Sequence, residues 1–365
     1  MPVLEKIVIS DFRNIELQEI EFSPNVNCVS GNNGEGKTNL LDAVYYLSMT
    51  KSAFATSDRF NFRHGTDEFS VAGTYQMENG TKSRFSMKMT SKGEKKVKRD
   101  DKPYQKVSEH VGVIPVVLVS PADVSMVSET GEERRRFINA VLSQMDREYL
   151  SGLQQYNRLL LQRNTMLKSA DLDRSLLEVI DMRMSALAAP IYQRRKEFVD
   201  ELRPVVSEYY RMLSGDSEKV DITYDTALDK ASLDVLLASS FEKDRIMKHT
   251  TSGVHRDDFI FTMNGHPIRR YGSQGQQKSF LVALKFAQYE IMKKNYGFAP
   301  ILLLDDVFDK LDMGRISNLL QMVASNDFGQ IFITDSNKVR MSGIVDSLTQ
   351  DRAYFETVSG TFSRQ

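Results

Sequence analysis

The chain has 365 residues, enough for two or three domains at about 150 residues each. Lys plus Arg number 48 against 49 Asp plus Glu, a formal net charge of −1. That balance argues against a histone-like or tail-driven binder of nucleic acid but leaves room for a local basic face. With 41% apolar residues, 27% charged residues and a single cysteine, Cys28, disulfide scaffolds and Cys-cluster zinc sites are excluded, and a reducing, cytoplasmic setting is expected. The best apolar stretch, Val111 to Val119, is broken by Pro115, so no membrane span is expected. The N-terminus lacks the basic start and apolar run of an export signal.

In chain order, Val3 to Ser10, Ile15 to Phe22 and Val26 to Ser30 have strand character. Leu40, Val44 and Leu47 then fall at helical spacing. Strand patterning returns from Glu68 to Lys106, with Glu78-Asn79-Gly80 as a hairpin signal, and residues 111–120 predict a short apolar strand. From Gly131 to Leu213 the chain is charged and helix-periodic, and Pro190 and Pro204 are expected to kink or divide its second run. Phe259 to Met263, Ile301 to Leu304 and Gln330 to Thr334 predict strands, and Phe280, Leu284, Ala287 and Ile291 a helix. The order is α/β, helical insert, α/β.

Gly31-Asn32-Asn33-Gly34-Glu35-Gly36-Lys37-Thr38 fits G-x-x-x-x-G-K-[ST], between a predicted strand and a predicted helix. Glycines let the backbone curl with its N–H groups inward, and the helix N-terminus adds unpaired donors and about half a positive charge. This pattern predicts ATP as ligand, with Lys37 on the β- and γ-phosphates and Thr38 on Mg²⁺. The competing reading is a glycine-rich strand–helix turn without a ligand. Leu302-Leu303-Leu304 runs into Asp305-Asp306. A buried strand ending in acids delivers charge to the sheet edge, so Asp305 is the second candidate metal ligand and Asp306 the candidate orienter of water. Two acids capping the next helix would look the same locally.

Tyr271-Gly272-Ser273-Gln274-Gly275-Gln276-Gln277-Lys278 resembles the ABC ATPase signature. Further segments make the sequence resemble the RecF family of bacterial recombination and repair ATPases, related to SMC heads. They are Phe12-Arg13-Asn14, Asn39-Leu40-Leu41-Asp42-Ala43, Ser252 to Asp258, and Leu302 to Asp312. Tyr156, Arg163 and Asn164 match as well.

The resemblance implies an ABC-type P-loop ATPase head with a mixed β lobe, interrupted by an inserted helical arm. Its first part is expected at 1–128, the arm at 129–249 and the second part at 250–365. It also implies an ATP-dependent homodimer on double-stranded or gapped DNA, acting with RecR, RecO and RecA. Asn39 joins the expected nucleotide contacts, Ser273, Gly275 and Gln276 would contact the partner's ATP, and Asp309 to Asp312 would cross the dimer interface. Lys37, Asp305, Asp306 and Ser273 form the expected catalytic set.

Val254 stands where proline is expected, Thr334-Asp335 where ABC transporters have histidine, and the acidic pair is Asp-Asp rather than Asp-Glu. The shorter acid and the missing histidine point to slow hydrolysis. Ser120 to Asp123 occupies the glutamine-loop region. The 235 residues from Thr38 to Ser273 are too many for a transporter head and too few for an SMC-type tether. Three basic clusters are candidate DNA contacts: Lys92, Lys95, Lys96, Lys98, Arg99, Lys102 and Lys106; Arg134-Arg135-Arg136; and Arg194-Arg195-Lys196. Arg134 and Arg135 are alternatively expected to pair with ATP-site acids. His255 and Arg256 are read as a structural or signalling junction.

Overall fold

Two strands, β1 (Val3–Phe12) and β2 (Ile15–Glu21), form an antiparallel pair, and β3 (Val26–Ser30) leads into helix α1 (Lys37–Met49). Strands β4 (Glu68–Gln76), β5 (Lys82–Thr90), β6 (Lys95–Arg99) and β7 (Lys102–Pro103) follow, then β8 (Val116–Val119) and a one-turn helix α2 (Ser125–Ser128). Helices α3 (Gly131–Met145), α4 (Arg147–Met166) and α5 (Arg174–Ser214) come next, then β9 (Val220–Asp225) and α6 (Leu233–Met247). The chain continues through β10 (Asp258–Met263), β11 (His266–Pro267), α7 (Ile268–Tyr271), α8 (Gln274–Tyr296), β12 (Ile301–Asp305), β13 (Ile331–Asp335), β14 (Arg352–Val358) and β15 (Thr361–Arg364). This computed structural model describes residues 1–215, 218–307, 328–338, 343 and 350–365.

By contact density the chain divides into one unit of Met1–Asp123, Met212–Gly215 and Lys278–Gln365, and another of Val124–Arg211 and Asp216–Gln277. The second unit runs past residue 249 because β9 and β10 pair along their whole length, Asp258 opposite Asp225 and Met263 opposite Val220.

The first unit holds two sheets. One has the order β2-β1-β4-β5-β6-β7, the other β15-β14-β3-β13-β12-β8. In the latter, β14, β3, β13, β12 and β8 are parallel, so their carboxyl ends share one edge. Helix α1 packs on strands of both sheets. Burial on two sides explains why Leu40, Leu41, Ala43, Val44, Tyr46, Leu47 and Met49 are all buried, rather than one stripe. Each buried Leu, Val or Met side chain among them contributes about 1.5–3 kcal/mol.

The 78–80 hairpin turn is present, Gln76 facing Lys82. The strand expected over 111–120 shrinks to Val116–Val119: Gly112 takes φ 85° and Pro115 has no N–H to give a ladder.

In the second unit, where a kink or a division is expected at Pro190 and Pro204, the helix is not divided. Both lie inside the 41-residue helix α5. Each is on the exposed face, opposite the buried Met184, Ala188, Ile191, Phe198, Leu202 and Val206. A carbonyl that loses its donor there can be hydrated, which lowers the cost of proline in the helix. Among the described residues, no helix is long and apolar enough to cross a membrane.

Candidate functional site

Strand β3 delivers Gly31 to the carboxyl edge of the parallel sheet, between β14 and β13. The turn to α1 needs glycine at Gly36, where φ is 111° and an added Cβ would lie 2.9 Å from the Asn14 amide. The buried Lys37 folds back over the loop, donating from Nζ to the carbonyl oxygens of Gly31 at 2.9 Å and Asn32 at 3.1 Å.

The parallel register aligns Asp305 with Thr334, and Asp335 with Ser30. Thr38 Oγ1 lies 3.0 Å from both carboxylate oxygens of Asp305. Thr334 Oγ1 donates to Asp305 Oδ1 at 2.7 Å and accepts from the Asp306 N–H at 3.1 Å. Asp305 is 3% exposed. Burial raises its carboxyl above the usual range, against the opposing hydrogen bonds from Thr334 and Thr38 and the charge of Lys37. Asp306 follows in a left-handed conformation, φ 44°, which turns it off the strand direction at the sheet edge. The structure thus brings together Lys37, Thr38 and Asp305, with the backbone of Asp306 next to them on Thr334. A hydroxyl and a carboxylate are hard oxygen donors, the kind Mg²⁺ takes alongside phosphate and water oxygens. Among the described residues no cluster of three or more His, Cys, Asp or Glu could hold a metal by itself.

Polar side chains behind the loop hold it to α1. Arg13, at φ 56° after β1, reaches Asp42 at 2.6 Å, Ser52 Oγ at 2.9 Å and Asn39 Oδ1 at 3.0 Å. Burial pushes the Asp42 carboxyl up, while Arg13 opposes the shift. Asn39 donates in turn to Asn14 Oδ1 at 2.7 Å. Asn39 therefore serves this clamp with its side chain. Glu35, one of the expected nucleotide contacts, turns its carboxylate to the Ser359 N–H on the β14–β15 turn. Arg13 and Asn14 carry the family resemblance without a task that the sequence assigns, and Thr334 has none there either. Their partners are set by register and by contacts across long sequence separations.

In the second unit, Ser273 and Gln276 cap the start of α8 reciprocally. Ser273 N–H donates to Gln276 Oε1 at 2.6 Å, and Gln276 N–H to Ser273 Oγ at 3.3 Å. Gln276 Nε2 also donates to Glu218. Ser273 and Tyr271 are exposed, and Gly275 lies one residue into α8. Residues Asp309 to Asp312 lie outside the described residues. In the 120–123 region, Asp123 accepts from the Ser120 N–H at 2.7 Å and pairs with Lys285 at 2.9 Å.

In two of the three basic clusters, Arg134, Arg135 and Arg195 are committed to the fold, whereas Arg136 and Lys196 are exposed. Arg134 binds both oxygens of Asp258, at 2.8 and 2.9 Å, and Arg135 donates to the Asp257 carbonyl. The expected pairing of Arg134 and Arg135 with ATP-site acids is therefore replaced by one with residues 257 and 258. Arg136 pairs with Glu133 at 2.9 Å. Arg195 is 1% exposed, bound to Asp257 at 2.8 Å and the Val254 carbonyl at 2.6 Å. A side chain so enclosed cannot reach a phosphate backbone. Arg194 and Lys196 also have acidic neighbours, Asp146 and Asp229.

His255 meets the Tyr156 hydroxyl at 2.9 Å. Its imidazole is lowered to about 4, mainly by burial. The 255–258 segment thus ties α3, α4 and α5 together, as a structural junction should. In the first cluster Lys95 is held by Asp58 at 2.6 Å. Lys92, Lys96, Lys102 and Lys106 are exposed, and Lys96 lies directly opposite Lys88. The charge of Lys88 is met within the protein by Glu68 at 2.7 Å, which relieves the like-charge pair.

The family model described as RecF/RecN/SMC N terminal domain matches residues 3–351. The chain is 43% identical to the DNA replication and repair protein RecF of Parabacteroides distasonis, over 98% of each. A solved structure of the recombination mediator protein RecF with ATP, from the RecFOR pathway, superposes with a TM-score of 0.90 at 29% identity, over 100% of this chain and 98% of that one. The Smc head domain of Pyrococcus furiosus shares the fold, with a TM-score of 0.59 at 14% identity over 100% of this chain and 96% of that one.

Proposed function

This chain belongs to the RecF family, and on that footing we propose that it is an ATP-gated DNA-binding protein of replication and recombinational repair. Its activity is hydrolysis of ATP to ADP and phosphate. The observation that carries the reading is the meeting of Thr38 Oγ1 with both oxygens of Asp305 beside Lys37. A hydroxyl from a glycine-rich loop and a carboxylate from a buried strand converge on one point, although 267 residues separate them.

The loop N–H groups and the α1 N-terminus bind the phosphates, and Lys37 exchanges its loop carbonyls for the β- and γ-phosphate oxygens. Thr38 and Asp305 would hold Mg²⁺, which supplies positive charge to those oxygens. Thr334 keeps the Asp305 carboxylate oriented. Asp306 orients the attacking water, and its short side chain agrees with slow turnover. Ser273, Gly275 and Gln276 of a second copy complete the site, so that ATP joins two chains into a clamp on duplex or gapped DNA. RecR, RecO and RecA are the proteins with which this clamp acts, in the cytoplasm. The exposed lysines of β6 and the turns beside it are the basic surface left for DNA once the paired arginines are set aside.

The test is ATP turnover by the purified chain, with and without gapped duplex, at two salt concentrations. DNA should raise the rate, and more strongly at low salt, since phosphate contacts release counterions. A rate indifferent to DNA at both concentrations refutes the reading.

A further inference from the structure

The site has a wall outside the matched family region. The β14–β15 hairpin follows residue 351, and β14 lies parallel to β3 with Glu356 opposite Ser30. Its next residue, Thr357, is 1% exposed and abuts Gly31, where an added Cβ would fall 2.6 Å from the Thr357 carbonyl oxygen. The hairpin turn, Ser359 at φ 50° and Gly360 at φ 81°, has the paired left-handed conformation of a tight two-residue turn. It rests on Asn14, since a Cβ on Gly360 would collide with the Asn14 carbonyl oxygen.

All of these groups converge on one peptide unit. The Glu35 carbonyl oxygen accepts from the Gly360 N–H at 2.8 Å, the Thr357 hydroxyl at 3.1 Å and the Asn14 amide at 3.3 Å. The Glu35 carboxylate takes the Ser359 N–H. A carbonyl oxygen has two lone pairs, so three donors leave it no reason to turn. In a trans peptide the following N–H points away from that carbonyl. Fixing the Glu35 carbonyl toward the hairpin therefore fixes the Gly36 N–H away from it.

We propose that the β14–β15 hairpin is a positioning element of the nucleotide site, which holds the Glu35–Gly36 peptide with the Gly36 N–H toward the phosphates. The proposal rests on the ATP reading above. A free glycine peptide can flip, and a flipped one presents an oxygen to an anion. Thr357 and Gly360 act through the peptide, not on the nucleotide.

The experiment is calorimetric titration of the full chain with ATP and Mg²⁺, alongside urea unfolding without nucleotide. Thr357→Val keeps the shape against Gly31 and leaves the Glu35 carbonyl two donors. It should weaken ATP binding by up to about three- to tenfold, the worth of one hydrogen bond, and lower the urea midpoint by no more than that same bond's worth. Thr357→Ser restores the donor and should recover most of the affinity. Gly360→Ala should weaken binding at least as much as Thr357→Val. Wild-type affinity in Thr357→Val, or equal losses in the Val and Ser variants, overturns the positioning role. No binding by the wild type overturns the ATP reading itself, so the two failures are distinct.

Discussion

The phosphate loop of the first unit and the signature turn of the second are both glycine-containing entries to a helix, but they are held differently. The loop is fixed from far along the chain: Asp305 stands 267 residues from Thr38, and Thr357 stands 322 from Glu35. The signature turn is capped by its own neighbours, Ser273 and Gln276, three residues apart. Gly36 and Lys37 at the base of the loop are buried, whereas Ser273 is exposed. A site that must be ready before its ligand arrives gains from long-range anchoring, because no local motion can undo it. On the proposed reading the Ser273 turn meets a second molecule, and such a turn gains from exposure and needs only local order.

The comparison breaks most visibly at Lys37. Lys37→Ala should weaken ATP binding about 100-fold by removing a charged donor to phosphate, measured by titration. Ordinary binding would show that the loop is not the site. Ser273→Arg should leave the ATP affinity of the single chain within about threefold while abolishing ATP-linked association; light scattering reads the second effect. Dimerisation like that of the wild type would remove the cross-chain role.

Asp305→Asn tests the cost of anchoring. The raised Asp305 pKa means that the folded chain binds its proton more tightly than the unfolded chain does, so ionisation costs stability. The variant should unfold at a higher temperature near neutral pH without ligand and lose ATP turnover. Its thermal advantage should open as pH rises through the carboxylate range and vanish below the ordinary value of 3.8. An advantage independent of pH would assign it to packing instead. The smallest effect is expected at Gln276→Ala, which removes half of a capping box at about 1 kcal/mol, read by urea unfolding, and should weaken ATP-linked association through the lost contact to the partner's ATP while the ATP affinity of the single chain is kept.

The same contrast explains what was legible in the sequence. The glycine spacing from Gly31 to Thr38, the buried strand ending at Asp305 and the Ser273 segment are local patterns, and a local pattern can be read directly. The tasks of Thr334, Asn14 and Thr357 depend on which strands lie side by side, which no short window encodes. The β14–β15 hairpin carried a usable signal, alternating burial at Ala353, Phe355 and Thr357 before Ser359-Gly360, but nothing in it pointed to the loop. Charge misled for a related reason. Arg195 and Lys96 look alike in a sequence, yet one is enclosed by Asp257, Tyr149 and Asn139 and the other is exposed on an edge region of its sheet. The prolines of α5 show the same limit, since their cost depends on which face of the helix they occupy.

Sedimentation velocity of the wild-type chain, alone, with ATP and Mg²⁺, and then with gapped duplex DNA, tests the ATP-gated clamp most directly. The predicted result is a monomer that becomes a dimer only with ATP, and DNA that co-sediments with the dimer alone. An unchanged monomer in ATP, or equal DNA binding without it, would contradict the gating.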